Sequence, residues 1–427
     1  MKPNFCQPLA RLFVGLFLSC LAAQAQQIIP LSLETIGGSQ RLVIYAGING
    51  GAAYPYLFDT GSPGFNAAYY NGPYTGPGSN PFDWASTGTV VADADVYYSD
   101  FGYKLNAVYV PTIEIYKKHN LATPEVILSS TSVNPGSPGF VIGQVTHRIT
   151  AAAGPGDWTN RQGDHFDYDA SFTSNMASGA APLASGLYGT FGAGLFATKN
   201  ITSPGGTDYV NGSVLGQATT TGWAVIANSD PDHAHAILGL DAGLRSQFTS
   251  SVSWTATGAD PFPNSNATSS TEFGGGRFEF ELSGGGHPAV TWTNGTLLDT
   301  GTQNNNLNAE NSSASDLALY ETHAPLVDAG HTIRVAGDGI ASDHYSFQTT
   351  TSGLETYHAN VKPDATSNDH STVGIGFFLN KSVAFDLENQ QTLYTSAVVP
   401  EPGPIFLLGM AGLAVGFRWL RCRRKSS

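Results

Sequence analysis

Cysteine is nearly missing from this chain of 427 residues, and the three present all lie near the ends: Cys6, Cys20 and Cys422. A body without cysteine has no disulfide framework and no thiolate metal site, so it must be held by its core. The roughly 370 residues between the end segments are enough for that, and suggest two lobes. Positive charge is also scarce. Setting aside Lys2, Arg11, the five basic residues of the C-terminal tail and Glu401, the 19 basic and 33 acidic residues fall to 12 and 32, a net of −20. Such a body repels nucleic acid and anionic lipid. Long helical periodicities are missing as well. No glycine-rich run has the strand and helix context of a nucleotide site, and no elbow motif supports a Ser-His-Asp triad.

What is present is glycine, 50 residues of it, with many aromatic and β-branched residues between. This reads as short strands separated by turns, an all-β protein. Gln40 to Ile48 is a strand candidate, Asn49-Gly50 a hairpin turn signal, and Tyr54 to Phe58 the return strand. The second half repeats the plan. Phe278 to Leu282 alternates as a strand, Ser283 to Gly286 is a turn, and Ala289 to Trp292 is a strand. Asn294-Gly295 is then a second hairpin signal. Segments 145–185 and 255–275 read as long surface loops. Asp164, Asp167 and Asp169 lie in the first of these without EF-hand spacing, as solvated carboxylates. His233 and His235 share one face of a strand and are read as hairpin surface.

The two ends carry addresses. Lys2 and Arg11, the apolar run Leu12 to Ala23, and Ala23-Gln24-Ala25 form a secretory signal pattern over residues 1–25. At the other end, over 398–427, Val399-Pro400-Glu401-Pro402 precedes the apolar run Ile405 to Phe417. The cluster Arg418, Arg421, Arg423, Arg424 and Lys425 follows. That run is shorter than the roughly 20 residues of a stable span, and the basic cluster would hold it on the cytoplasmic side. The tail resembles the PEP-CTERM sorting signal of Gram-negative bacteria. The resemblance implies export, a transient inner-membrane tether, processing by an exosortase-type enzyme, and delivery to the outer cell surface or the medium.

The chemistry sits in two short motifs. Leu57-Phe58 runs into Asp59-Thr60-Gly61-Ser62, and Leu297-Leu298 runs into Asp299-Thr300-Gly301-Thr302. Two apolar residues, Asp-Thr-Gly and a hydroxyl residue, once per half, resemble the pepsin-like aspartic peptidases. Further segments match in order: Gly189 to Gly192, Trp223 to Gly243, and Thr372 to Asp386. The resemblance therefore covers most of residues 30–395. It implies a bilobal fold of two pseudo-symmetric β-barrel-like lobes, residues 26–205 with Asp59 and 206–397 with Asp299, around a cleft. It implies Asp59 and Asp299 as the catalytic pair, supported by Thr60, Gly61, Ser62, Thr300, Gly301 and Thr302. Gly192 and Gly374 match the glycines of the strands that cross behind the site. Tyr98 matches the tyrosine of a flap hairpin, with Tyr97 as alternate. The activity implied is endoproteolysis of a polypeptide by a monomer, with no cofactor or metal. The alternative is a catalytically weak or inactive scaffold binding peptide or polysaccharide. Three departures stand out. The family's tryptophan shortly after Ser62 is missing, the stretch Gln303 to Asn306 is polar, and no basic propeptide precedes the first strand.

Overall fold

The computed structural model describes residues 26–400, except 63, 98–100, 130–138, 152–157, 160–164, 195–197, 203–207, 212, 229–232, 255–275, 322–324, 341, 352–354 and 365–369. The signal-like segment, most of the sorting-like tail and the predicted loop 255–275 thus lie outside the described residues. No helix among those described is long and apolar enough to cross a membrane.

Three sheets carry the described chain, and helices are few and short. One sheet of 14 strands gathers strands from Ser32–Ile36 to Asp208–Asn211 and forms the first lobe. A sheet of 7 strands, drawn from Arg277–Gly284 to Ser371–Val373, forms the second. A sheet of 6 joins them. It pairs Gln27–Pro30, from the very start of the described chain, with His235–Leu238, and reaches Gln391–Thr395 near its end. The class is all-β and bilobal, as the sequence predicts. Closure is not: both lobe sheets run as open paths among the described residues, so neither is a barrel.

The first hairpin forms where the sequence puts it. Asn49 and Gly50 both take left-handed backbone, φ 52° and 75°, as the tight turn between Ser39–Ile48 and Tyr54–Asp59 requires. The second Asn-Gly pair does not turn. Asn294 and Gly295 lie inside the continuous strand His287–Leu298, opposite Phe278 and Arg277. The turn falls on Gly284, Gly285 and Gly286, which carry φ of 123°, 63° and 78° without a Cβ to resist it. Asn294 is buried instead, its amide donating to Asn308 O at 3.1 Å.

The expectation of a loop over 145–185 is also corrected. The long strand Phe140–Ala151 runs well into it and pairs with Phe101–Val110. Trp158–Thr159 and His165–Tyr168 form a small hairpin on its edge. Then comes a helix, Ala170–Ser178, capped by Asp169, which accepts from Ser171 N, and ended by Gly179 at φ 83°. Only Phe172 and Met176, one turn apart, anchor it in the core. Its other residues are small and polar, which made it read as loop. His235 is another correction. It is buried, because its strand lies between two others in the joining sheet, while His233 is exposed.

One hydrophobic cluster spans both lobes, with Phe58, Phe65 and Phe191 on one side and Phe278, Phe280 and Phe377 on the other. The packed body also reaches further toward the tail than the boundary at 397. Val399 is buried against Ala224, Ile237 and Leu393, and its N–H donates to Ser382 Oγ.

The two contested glycines give a direct test. A Cβ on Gly374 would stand 2.5 Å from Asn304 O and 2.7 Å from Thr302 O, both backbone atoms, whereas one on Gly295 would meet nothing within 4 Å. Gly374→Ala should cost about 1–3 kcal/mol in urea unfolding, and Gly295→Ala less than about 0.5 kcal/mol. Equal losses would place the tight crossing elsewhere.

Candidate active site

Each motif ends a strand flanked on both sides within its sheet. Tyr54–Asp59 lies between Ser39–Ile48 and Gly189–Gly192, and Thr296 to Leu298 pair in parallel with Ser371–Val373. Flanking strands on both sides fix where each strand stops, and the Asp-Thr-Gly loops leave from that point. Gly192 is in register with Asp59. Gly374 follows Val373, which is in register with Leu298. Both predicted crossing glycines therefore sit behind the predicted catalytic loops.

The two loops meet. Thr60 Oγ1 donates to Leu298 O at 2.8 Å and accepts from Thr300 N at 3.0 Å. Thr300 Oγ1 donates to Phe58 O at 2.7 Å and accepts from Thr60 N at 3.0 Å. Four buried bonds thus cross between residues some 240 positions apart in sequence. Each is worth about 1 kcal/mol net, and leaving one buried partner unmet costs about 1–3 kcal/mol.

The carboxyls are held by matching sets of donors. Gly61 N donates to Asp59 Oδ1 at 2.8 Å and Ser62 Oγ to Asp59 Oδ2 at 2.5 Å. Gly301 N donates to Asp299 Oδ1 at 2.7 Å and Thr302 Oγ1 to Asp299 Oδ2 at 2.5 Å. Asp59 is 6% exposed and Asp299 9%. They face each other across the glycines. A Cβ on Gly61 would lie 2.4 Å from Asp299 Cγ, and one on Gly301 2.5 Å from Asp59 Cγ. Burial pushes the Asp59 carboxyl well above its ordinary range. The charge of Asp299 and a hydrogen bond between the two carboxyls add to the rise, while the Ser62 and Gly61 bonds oppose it. Two carboxyls so placed share a proton.

Tyr98, the flap candidate, lies outside the described residues. The hairpin to which it belongs is formed by Gly88–Tyr97 and Phe101–Val110, paired from Gly88↔Tyr109 to Tyr97↔Gly102. Two residues near the site escape the sequence reading. Tyr103, on the return strand, is buried and hydrogen-bonded to the Thr190 side chain, and burial pushes its phenol up. Arg41, on Ser39–Ile48, reaches across the lobes and donates from Nη1 to Gly301 O at 2.6 Å. The signal for Arg41 is a basic side chain in an otherwise apolar strand of a body nearly empty of them. The polar stretch Gln303 to Asn306 finds its explanation in Asn305. Buried, it donates from Nδ2 to His358 O at 3.2 Å and accepts from Gly374 N at 3.2 Å, tying the crossing glycine to the loop after Asp299.

No family model matches the sequence, and no curated protein is similar to it. Among solved structures, the aspartic proteinase from Irpex lacteus is similar in fold, with a TM-score of 0.50 over 88% of this chain and 98% of that one, at 12% identity. At that identity the likeness speaks for the fold, which is the bilobal pepsin-like aspartic proteinase fold.

The raised Asp59 carboxyl has a consequence for stability. Below the ordinary value of 3.8 the group is protonated in both folded and unfolded chains. Above 3.8 the unfolded carboxyl ionises while the folded one keeps its proton, so its stability contribution falls with rising pH until the folded value is passed. Asp59→Asn keeps the acceptor for Gly61 N and removes this loss. Its melting temperature should match the parent near pH 3 and exceed it by a growing margin from pH 4 upward. A constant difference across that range would contradict the proton-sharing pair.

Proposed function

We propose that this protein is an exported aspartic endopeptidase that hydrolyses peptide bonds with water activated between Asp59 and Asp299. The observation that carries the reading is the pair itself: two buried carboxyls, each with an N–H and a hydroxyl donor, locked face to face by Thr60 and Thr300. The chemistry needs little else. One carboxylate takes a proton from a water as its oxygen attacks the scissile carbonyl carbon, and the protonated carboxyl donates to the carbonyl oxygen. A tetrahedral diol forms. It collapses when one carboxyl gives a proton to the leaving nitrogen and the other takes a proton from a diol hydroxyl, breaking the C–N bond and returning the pair to one shared proton. Neither metal nor cofactor is called for.

The substrate would be an extended polypeptide lying between the lobes under the hairpin Gly88–Tyr97 and Phe101–Val110. The signal-like residues 1–25 support export, and the tail supports a transient inner-membrane tether and handling by an exosortase-type enzyme. On that reading the mature protein acts at the outer surface of a Gram-negative cell or in the medium. The acidic body argues against nucleic acid as a partner.

The test is proteolysis of a denatured protein by the 26–400 body between pH 3 and 7, with and without pepstatin. Cleavage that pepstatin stops, and that Asp59→Asn and Asp299→Asn each reduce by at least about 10³-fold, is the expected result. A folded protein with no cleavage at any pH would leave a peptide-binding scaffold as the better reading.

A further inference from the structure

The joining sheet separates two layers of core, and alternation along its strands sorts them. Trp223 and Val225, in the strand Gly222–Ile226, point into the large cluster that also holds Phe58 and Leu298, the neighbours of Asp59 and Asp299. Ala224 and Ile226 point the other way, into a separate outer cluster. Leu244 of the short helix Ala242–Arg245 belongs to that outer cluster. The catalytic loops therefore lie beyond one face of this sheet, and the outer cluster covers the opposite face.

The chain leaves the body from this outer layer, and it is held until the last moment. Ser396 Oγ accepts from buried Lys381 Nζ at 2.5 Å and donates to Asp343 Oδ1 at 2.9 Å. Buried Ser382 donates from Oγ to Ala397 O at 3.0 Å and accepts from Val399 N at 3.3 Å. Val399 itself is 1% exposed, inside the outer cluster. The apolar run of the tail begins at Ile405, six residues on. Fully extended, that stretch reaches at most about 20 Å. A body of roughly 370 residues is about 50 Å across. A chain that short cannot pass round the body to its far side.

We propose that the outer face of the joining sheet, around Val399 and helix Ala242–Arg245, is the surface this protein turns to a phospholipid membrane, and that the catalytic pair is thereby presented to the aqueous side. The inference rests on the tail acting as a membrane tether, and it deepens that reading by fixing which way the tethered body faces. The short chain imposes the apposition; attraction does not. Asp241 and Glu388 are exposed acids, and Arg245, the basic residue of the helix, is taken up by Asp386 at 2.9 Å and Glu388 at 2.6 Å. Such a face offers anionic lipid nothing to hold. While tethered, the protein then meets polypeptides arriving from the water and not segments lying in the bilayer. Once the tail is cut, nothing keeps the acidic body at the membrane.

The body has no cysteine of its own, so one label can be placed at will. The chain from Gln26 to Ser427, with Cys422→Ser, is reconstituted in phosphatidylcholine vesicles whose headgroups carry an acceptor dye. A donor dye is attached at Gln247→Cys, just past helix Ala242–Arg245, or at Ala92→Cys on the hairpin strand Gly88–Tyr97; both positions are exposed. Energy transfer from position 247 should exceed that from position 92 at least about threefold, given a body about 50 Å across. A Gly-Ser spacer of about 40 residues after Gly403, with a reach of more than about 100 Å, should bring the two to within about 1.5-fold. The Val399 amide should exchange its hydrogen slowly in the parent. Equal transfer from both positions, or more from 92, overturns the proposal while leaving the tether in place. A difference that survives the spacer overturns it too, since the face would then adhere without the short chain, and so does a Val399 amide that exchanges as in an unfolded peptide. Should the protein not associate with the vesicles at all, the tether reading falls and this inference with it, and the reading of the carboxyl pair is untouched.

Discussion

Two buried carboxyls pressed so close that both cannot ionise are the constraint to which the rest of this structure answers. Left alone, the loops bearing Asp59 and Asp299 would drift apart until both carboxyls ionised in water. The threonine interlock prevents this. Each hydroxyl accepts from an N–H and donates to a carbonyl on the opposite loop, so neither loop can move without exposing or orphaning buried backbone of the other. The strands behind supply the rigidity. Gly374 sits where a side chain would force its loop forward, the blocking atoms being backbone oxygens of the loop after Asp299, and Gly192 lies in register with Asp59.

A missing tryptophan after Ser62 raises the question of what steadies the hairpin Gly88–Tyr97 and Phe101–Val110. The segment that reads as an insertion answers it. Helix Ala170–Ser178 places Phe172 and Met176 in one cluster with Ala94, Val96 and Tyr103 of that hairpin. Arg148 stacks over Phe101 at 5.2 Å and pairs with Asp169, the cap of the same helix, at 3.1 Å. Tyr103 reaches the Thr190 side chain, in the strand beside Asp59. The hairpin is thus braced from its return strand and its flank, where it stays buried whatever the tip does.

How much of this was legible in the sequence follows from how local each signal is. The Asp-Thr-Gly loops were legible because their chemistry needs those residue types in that order, and the first hairpin because Asn-Gly there is both turn and strand end. The second Asn-Gly pair looked identical and meant something else: three glycines nearby are better suited to left-handed backbone, and Asn294 is spent on a buried bond to Asn308 O. The helix at 170–178 was hidden because two anchors suffice when a sheet already waits for them. Open sheets in place of barrels depend on which distant strands pair, about which a single strand says nothing. The contact of Arg41 was hidden for the same reason: the residue stands out in its strand, but its partner lies 260 residues away.

Asn305 shows why a departure from a pattern need not be a loss of function. An apolar residue there could fill the volume, and its backbone N–H would still serve the His358 carbonyl, but it could not give Gly374 N an acceptor. Gly374 belongs to a segment that meets this one only in the folded second lobe. The polar residue is therefore a choice of how to hold the crossing strand, made with hydrogen bonds where dispersion would otherwise serve. Its cost is desolvation of one amide, offset by its three polar contacts, to Gly374 N and to the carbonyls of His358 and Thr356. The loop that follows Asp299 gains direction from such bonds, which packing alone does not supply. That matters on the side of the site where Arg41 also fixes Gly301, so the loop bearing the second carboxyl is held from both lobes.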